Sequence, residues 1–291
     1  MHAFDFFRPG SLEEAVEALA NYGDESRVIA GGTALMLALR QRLLQPQCLI
    51  SVEGLEAMRG IDWDLRRGLR IGALTLHNEV AASKLVKAHY PMLAELAKHM
   101  ANPQVRNRGT LGGNLCYADP ATDPPTALLA LDARVVLHSV RGSRELPVSE
   151  FLVDYYTTAI EPDELLVEVL IPPPGSFAAG GYTRFLKTAA EHRPLATIAV
   201  SADRNGRICQ AIRIAVGATT PVPMRLSNAE QHLSGQEMNA SLIGEAAAII
   251  AVDIDALDDS RGEEWYRRRM TEVIARRTLA RVFDIEIEAE K

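Results

Sequence analysis

Two glycine pairs, far apart in the chain, are the residues whose type and spacing best suit ligand chemistry. Gly31-Gly32 lies within residues 28–35, Gly112-Gly113 lies within residues 110–114, and a threonine stands close to each pair. Because glycine has no Cβ atom, such a pair can adopt positive φ angles and approach another group closely. Successive N–H groups can then point into one concavity and bind an anion such as a pyrophosphate. Together, the two turns predict a phosphate-containing ligand that is held from both sides.

The sequence leaves a second interpretation of these pairs open. A Gly-Gly pair by itself is more often a tight bend in which backbone packs against backbone. Neither segment matches the GxGxxG dinucleotide fingerprint or the GxxxxGK[ST] phosphate loop. The second pair, however, lies in a long polar stretch, residues 102–126, that is rich in turn-forming residues. Long irregular segments in compact domains are usually functional, which favours a binding role.

The order of these motifs resembles that of one known family. Residues 30–33 are Ala-Gly-Gly-Thr, and residues 104–114 are Gln-Val-Arg-Asn-Arg-Gly-Thr-Leu-Gly-Gly-Asn. An aspartate in a proline-rich turn follows, before the run Ala-Leu-Leu-Ala-Leu-Asp-Ala at residues 127–133. This combination closely resembles the FAD-binding medium subunit of molybdenum hydroxylases, the xanthine dehydrogenase and carbon monoxide dehydrogenase family. The resemblance covers essentially the whole chain.

The resemblance also implies where FAD binds. In the family, the loop matching residues 28–35 lies along the pyrophosphate and the ribityl chain, and the loop matching residues 110–114 lies opposite. Asp123 matches a residue that binds an FAD hydroxyl, Leu166 one that packs against the flavin ring, and Lys187 one near the isoalloxazine. The resemblance implies no catalytic residue and no metal ligand in this chain. The complete set of expected cofactor-binding residues is Val28, Ile29, Ala30, Gly31, Gly32, Thr33, Ala34, Leu35, Ala101, Thr110, Leu111, Gly112, Gly113, Asn114, Asp123, Leu166 and Lys187.

Three of these positions also have ordinary structural interpretations. An aspartate before a proline commonly initiates a turn, so Asp123 need not bind anything. Leu166 is an apolar strand residue of the kind that fills a core, and Lys187 is of the kind that is solvated at a strand end. The chemistry is nevertheless sound, because a carboxylate can accept two hydrogen bonds from sugar hydroxyls and a cation near the flavin ring would tune its potential.

Composition and charge narrow the class of protein. The 291 residues are 47% hydrophobic and 24% charged, as in an ordinary soluble globular protein. The net charge of −7, with both signs mixed along the chain, argues against a nucleic acid partner. Three widely spaced cysteines, Cys48, Cys116 and Cys209, cannot ligate an iron–sulfur cluster by themselves. The first residues do not resemble a signal peptide and no apolar run is long enough to span a bilayer, so a cytoplasmic protein without a transmembrane segment is expected.

The resemblance and the element pattern together predict an α+β chain of two parts. Residues 1–175 are expected to form a two-lobed FAD-binding domain of the PCMH type, as in the vanillyl-alcohol oxidase superfamily, with lobes of about 1–55 and 56–175. The proline triplet at 172–174 marks the boundary, because proline cannot donate to a β-ladder. Residues 176–291 are expected to form a small C-terminal α/β domain of the CO dehydrogenase flavoprotein type. It should contain a three-stranded antiparallel sheet covered on one side by helices.

Local signals predict several element boundaries. Ser11 and Glu14 form a capping box at the start of the first helix, and a second helix is predicted over residues 35–44. Thr75 is expected to cap the helix that follows it. The last helix carries a basic cluster that is expected to form its solvated face, with a docking surface as the alternative; the cluster consists of Arg267, Arg268, Arg269, Arg276 and Arg277.

The favoured functional hypothesis follows from the resemblance. The chain would be the FAD-carrying electron-transfer subunit of a heterotrimeric molybdenum hydroxylase, with a large subunit that binds the molybdopterin cofactor and a small subunit that holds two [2Fe-2S] clusters. Electrons would pass from those clusters through FAD to an external acceptor, for which NAD, oxygen, quinone and ferredoxin stay open. A dimer of heterotrimers is usual in the family. The alternatives are a stand-alone FAD-dependent alcohol oxidase and a scaffold that has lost its cofactor.

Overall fold

The computed structural model describes residues 3–188 and 191–287. Its first lobe is a three-stranded parallel sheet in the order β1-β3-β2. The elements of this lobe are β1 (Asp5–Phe7), α1 (Leu12–Tyr22), a 3₁₀ turn (Gly23–Glu25), β2 (Ser26–Ile29), α2 (Leu35–Arg40) and β3 (Cys48–Ser51).

The first lobe follows the local signals closely at its start. The Ser11 side chain accepts a hydrogen bond from the Glu14 N–H at 3.2 Å, so the predicted cap of α1 is present. The carboxylate of Glu14 accepts the N–H of Gly10 at 2.7 Å. Helix α2 is shorter than predicted, because the chain turns into the left-handed region at Arg42, where φ is 61°.

The second lobe is built on a five-stranded antiparallel sheet in the order β4-β5-β10-β6-β7. A group of helices is inserted between β5 and β6, and these helices carry the polar stretch that contains the second glycine pair. The elements of this lobe are a 3₁₀ turn (Glu56–Met58), β4 (Ile61–Asp64), β5 (Gly68–Gly72), α3 (His77–Ala82), α4 (Lys84–His89), α5 (Pro91–His99), α6 (Pro103–Arg106), α7 (Leu111–Tyr117), α8 (Pro124–Ala130), β6 (Arg134–Ser139), β7 (Gly142–Pro147), α9 (Val148–Phe151), β8 (Leu152–Asp154), β9 (Thr157–Thr158) and β10 (Leu165–Ile171).

The start of α3 differs from the sequence-based prediction. Leu76 rather than Thr75 precedes the helix, and the Leu76 N–H donates to the carboxylate of Glu79 at 2.7 Å. The Thr75 hydroxyl instead donates to the carbonyl of Gly60 at 3.1 Å and is buried. Thr75 therefore ties this loop to the entry of β4 instead of capping the helix.

The C-terminal part is an antiparallel sheet in the order β11-β12-β13-β14. The three predicted strands are present and long, and a fourth strand of two residues extends the sheet at its edge, where Met224 and Arg225 pair with β13. The elements are β11 (Ala179–Phe185), β12 (Ala196–Asn205), β13 (Ile208–Gly217), β14 (Met224–Arg225), α10 (Ser227–Leu233), α11 (Ala240–Asp253) and α12 (Glu264–Val282).

The two faces of this sheet bury different kinds of side chain. Ile198 and Ile214 point into a core formed with α10, α11 and α12, whereas Ala199 and Ala215 join the core of the first part. Successive residues of a strand point to opposite faces, so small residues line the face that meets α5 and α8. A Cβ at Gly217 would lie 2.1 Å from the hydroxyl oxygen of Thr126 in α8, which allows these elements to approach closely.

The basic cluster of α12 is not uniformly solvated as predicted, because Arg267 is fully buried. Its guanidinium donates to the carbonyls of Leu195 and Ala218 at 3.1 and 2.9 Å and pairs with Asp259 at 2.7 Å. A buried arginine requires this complete set of partners, since an unpaired buried charge is costly. Within the described ranges, no helix combines the length and apolar character needed to cross a bilayer.

Candidate functional site

The first glycine segment connects β2 to α2. Gly32 adopts a φ of +70°, which favours glycine. Gly31 is needed for a different reason: a Cβ at this position would lie 1.7 Å from the carbonyl oxygen of Arg108 and 3.2 Å from the Cα of Gly109. No side chain fits in that space, so the first segment packs backbone against backbone on the loop that leads to the second glycine pair.

The N–H groups of residues 31–34 are available to a ligand. Among the described residues, none of these N–H groups has a hydrogen-bond acceptor. The segment is half-buried, and Val28 and Ala30 at its start pack against the larger hydrophobic core. A row of free donors on a loop that is anchored at both ends is the arrangement that binds an anion.

The second glycine pair lies in a helix rather than in the glycine-centred turn that the sequence predicts. It lies in the first turn of α7, where the Thr110 hydroxyl oxygen caps the helix by accepting the Gly113 N–H at 3.1 Å. The N–H groups of Leu111 and Gly112 donate to backbone carbonyls in the loop after β5, at 3.0 and 2.9 Å. All three N–H groups are therefore bonded within the protein, and this pair does not form a second concavity of free donors.

Gly112 is required because the helix docks tightly. A Cβ at Gly112 would lie 2.5 Å from the Cβ of Ala73. The Ala73 N–H in turn donates to the carbonyl of Val167 in β10 at 2.9 Å. Leu166, the preceding residue of β10, is buried in the same core. The second segment is thus fixed to the central sheet, and it supports the first segment through Gly31.

Asn114 leaves an unsatisfied polar atom in this region. Its Oδ1 is buried and has no hydrogen-bond partner among the residues that the structure describes. Leaving a buried acceptor without a donor costs about 1–3 kcal/mol. The Thr110 hydroxyl, whose oxygen accepts the Gly113 N–H, retains its own proton for a further acceptor. A ligand that has both hydrogen-bond donors and acceptors would satisfy these two side chains.

Asp123 is buried at the start of α8, and its side chain does not cap that helix. Its Oδ1 accepts the Tyr182 hydroxyl at 2.7 Å and lies 3.3 Å from the Nε of Arg184. Burial raises the pKa of Asp123, while Arg184 and the Tyr182 hydroxyl lower it. The interpretation of Asp123 as a turn former therefore does not describe its side chain, which is held by strand β11.

Arg184 also connects Asp123 to the region of Ala101. One guanidinium nitrogen of Arg184 donates to the carbonyl of His99 at 2.8 Å. Ala101, two positions later, adopts a left-handed φ of 46°, and its carbonyl accepts Arg106 Nη1 at 3.0 Å. Lys187, by contrast, follows the end of β11 and is exposed.

Three further residues have structural roles here that no sequence motif indicated: His77, Tyr182 and Arg184. The pattern of β11 contains a usable signal, because residues 182 and 184 are two apart in a strand and therefore share a face. Nothing local in the sequence identifies Asp123 as their partner. His77 is buried beneath the second segment, and its backbone N–H donates to the carbonyl of Gly109 at 3.1 Å. Burial lowers the pKa of its imidazole to about 4.

Two family models together match most of the chain. The model described as the FAD binding domain in molybdopterin dehydrogenase matches residues 2–174, and the model of the CO dehydrogenase flavoprotein C-terminal domain matches residues 183–282. The chain belongs to this family of FAD-binding medium subunits. It is accordingly an oxidoreductase subunit, and FAD is the cofactor of its first matched domain.

This medium subunit is similar over almost its whole length to named proteins and solved structures. The chain is 35% identical to the 6-hydroxypseudooxynicotine dehydrogenase complex subunit alpha of Paenarthrobacter nicotinovorans, over 96% of this chain and 94% of that protein. It is 32% identical to the carbon monoxide dehydrogenase medium chain of Hydrogenophaga pseudoflava, over 95% and 96%. A solved structure of carbon monoxide dehydrogenase from the latter organism matches with a TM-score of 0.92 at 31% identity, covering 97% of each chain. Quinoline 2-oxidoreductase from Pseudomonas putida 86 matches with a TM-score of 0.91 at 29% identity, also covering 97% of each chain.

We expect Gly31→Ala to separate the two segments of this medium subunit. The new methyl group would overlap the Arg108 carbonyl, and overpacking of this kind costs about 1–3 kcal/mol. FAD affinity should fall by about tenfold or more, as measured by fluorescence titration. Gly54→Ala is the matched control, because a Cβ there meets no atom within 4 Å. Wild-type FAD affinity in Gly31→Ala would contradict the role assigned to this contact.

We also expect His77 to make folding stability depend on pH. The imidazole has a pKa of about 4 when folded and an ordinary value of 6.5 when unfolded, so the unfolded chain binds the extra proton between these values. The free energy of unfolding should therefore fall as the pH drops from 6.5 towards 4, by roughly 3 kcal/mol. Urea unfolding at several pH values measures this decrease. His77→Gln should flatten that part of the profile, and an unchanged profile would contradict the assignment.

Proposed function

We propose that this chain is the FAD-carrying electron-transfer subunit of a heterotrimeric molybdenum hydroxylase, passing electrons from [2Fe-2S] clusters of a partner subunit through FAD to an external acceptor. One observation carries the proposal in this chain: the unbonded N–H groups of residues 31–34 lie on a segment held against the second segment by the Gly31–Arg108 contact. This arrangement suits a pyrophosphate, the one strongly anionic part of FAD.

The donor set of the site fits FAD, and each segment takes a different part in holding it. The N–H groups of the first segment, with the Thr33 hydroxyl, bind the pyrophosphate. The orphaned Oδ1 of Asn114 accepts a hydrogen bond from FAD, and Asp123 accepts one from a hydroxyl of the cofactor. The proposed binding set remains the one predicted from the sequence: Val28, Ile29, Ala30, Gly31, Gly32, Thr33, Ala34, Leu35, Ala101, Thr110, Leu111, Gly112, Gly113, Asn114, Asp123, Leu166 and Lys187.

The chain's own residues bind and orient the cofactor rather than transfer protons. Bound FAD supplies the capacity to accept electrons from one-electron centres and to deliver a pair to an acceptor. Leu166 contributes an apolar, buried contact surface. Lys187, which is exposed, contributes a positive charge near the flavin end of the site. We assign no catalytic acid, base or nucleophile to this chain.

The proposed assembly follows the names of the relatives. Several are called medium chains or medium subunits, and one solved carbon monoxide dehydrogenase is described as lacking the Mo-pyranopterin moiety of its molybdenum cofactor. We assign the molybdopterin cofactor to a large partner subunit and two [2Fe-2S] clusters to a small one, in a cytoplasmic dimer of heterotrimers. Residues 1–175 form the FAD-binding domain in this proposal, and residues 176–291 form the C-terminal domain.

Co-expression with the neighbouring genes tests this function. The proposal predicts a complex of three different chains whose absorption spectrum contains both flavin and iron–sulfur bands, and whose FAD is released on denaturation. Flavin bound to the chain alone, with turnover of an alcohol and no co-purifying subunit, would support the independent oxidase instead. Absence of flavin from every preparation would contradict the proposal.

Asn114→Ala provides a test within the site. Because Oδ1 is buried without a donor in the protein, its removal should cost little folding stability but should weaken FAD binding by about tenfold. FAD titration and urea unfolding of the same variant separate the two effects. Asn21→Ala, at an exposed position of α1, is the control and should leave FAD affinity unchanged without lowering stability. Loss of stability without loss of FAD affinity would assign Asn114 a purely structural role.

A further inference from the structure

We propose that Tyr182 and Arg184, on the first strand of the C-terminal sheet, are positioning residues for FAD that act through Asp123. This inference rests on the proposed function, because it assumes that Asp123 binds a hydroxyl of the cofactor. It adds that the C-terminal sheet helps to build the cofactor site.

The geometry around Asp123 carries this inference. The Tyr182 hydroxyl, at 2.7 Å, and Arg184 Nε, at 3.3 Å, both approach Oδ1. Among the described residues, Oδ2 receives no hydrogen bond, so one carboxylate oxygen is held and the other is left for a ligand. An oriented carboxylate accepts a ligand hydroxyl with less loss of side-chain entropy than a freely rotating one.

Two of the three guanidinium nitrogens of Arg184 are held by backbone carbonyls, and its buried Nε makes only the ion-pair contact with Asp123. Its two terminal nitrogens donate to the carbonyls of His99 and His192, at 2.8 and 2.7 Å. Its side chain is 14% exposed and that of Asp123 is 3% exposed, so water screens their attraction only weakly. The guanidinium therefore contacts three separate segments of chain, at His99, His192 and Asp123. A surface ion pair would contact only one.

The contact surface around Asp123 is also tightly packed. Thr126 lies three positions after Asp123 in α8. Its hydroxyl forms a hydrogen bond of 3.0 Å with the hydroxyl of Thr197 in β12. Gly217 of β13 lies so close to Thr126 that a Cβ would be 2.1 Å from its hydroxyl oxygen. The helix that carries Asp123 thus packs directly against the C-terminal sheet. A substitution at Tyr182 or Arg184 of β11 therefore alters the surroundings of the Asp123 carboxylate.

A double-mutant cycle in the full chain tests the inference. Tyr182→Phe keeps the ring and removes one hydrogen bond, and we expect FAD affinity to fall about fivefold. Asp123→Asn should lower it about tenfold. The variant with both changes should resemble Asp123→Asn alone, because Tyr182 acts only through the carboxylate. Tyr266→Phe, elsewhere in the C-terminal part, is the control and should bind FAD like wild type.

Arg184→Met supplies a second measurement, the pH dependence of FAD affinity. A purely structural role of Arg184 would not change this dependence. The titratable groups that face Asp123 are Tyr182 and Arg184, both on β11, whereas its own helix has no charged side chain. Without the guanidinium, Asp123 takes up a proton at higher pH. FAD affinity of Arg184→Met should therefore begin to fall at a higher pH than that of wild type, and Arg184→Lys should restore part of the difference.

The outcomes separate this inference from the proposed function. If Asp123→Asn weakens FAD binding and Tyr182→Phe does not, the positioning role is wrong and the FAD site stands. If the effects of Tyr182→Phe and Asp123→Asn simply multiply, Tyr182 acts through overall stability, and the inference is again overturned. If Asp123→Asn binds FAD normally, Asp123 does not contact the cofactor, and both the assignment of Asp123 and this inference fail.

Discussion

The close approach of Gly31 to the carbonyl oxygen of Arg108 is the contact on which the rest of the site depends. A Cβ at position 31 would lie only 1.7 Å from this oxygen, so only glycine permits the contact. The contact joins two lobes with different sheets, the parallel sheet of the first lobe and the antiparallel sheet of the second. In the proposed FAD site, the first glycine segment lies on one side of this contact and the loop that leads to the second segment lies on the other.

The two glycine segments divide the work between them. The second is a support: its N–H groups are bonded to Thr110 and to the loop after β5, which is itself bonded to the central strand β10. In the proposed site the first is the binding surface, because its N–H groups keep their hydrogen-bonding capacity for a ligand. A rigid support beneath a loop of free donors is a preorganised anion site, since little has to be reordered when the anion binds.

Most of this architecture could be predicted from the sequence, but the long-range contacts between its elements could not. Strands and helices with strong local signals, such as α1 with its Ser11 cap, were predicted correctly, and so was the family. The second glycine pair was predicted to be a turn that binds an anion, because a Gly-Gly-Asn run carries no sign that Thr110 starts a helix that docks on Ala73.

The arginines of α12 and the partners of Asp123 were missed for a related reason. Arg267 looks like its neighbours in the sequence, and only the folded chain brings the carbonyls of Leu195 and Ala218 to its guanidinium. Tyr182 lies far from Asp123 in the sequence. Their hydrogen bond forms only because the C-terminal sheet packs against α8. Long-range polar contacts of this kind have no signature in a local pattern.

Hydrogen–deuterium exchange of the backbone amides, with and without FAD, can distinguish a binding role of the first glycine segment from a supporting role of the second. We expect residues 31–34 to exchange rapidly without FAD and to become protected when FAD binds. Residues 111–113 should be protected in both states, because their N–H groups already have acceptors in the protein. FAD-dependent protection of residues 111–113, with unchanged rapid exchange at 31–34, would contradict the division of roles between the two segments.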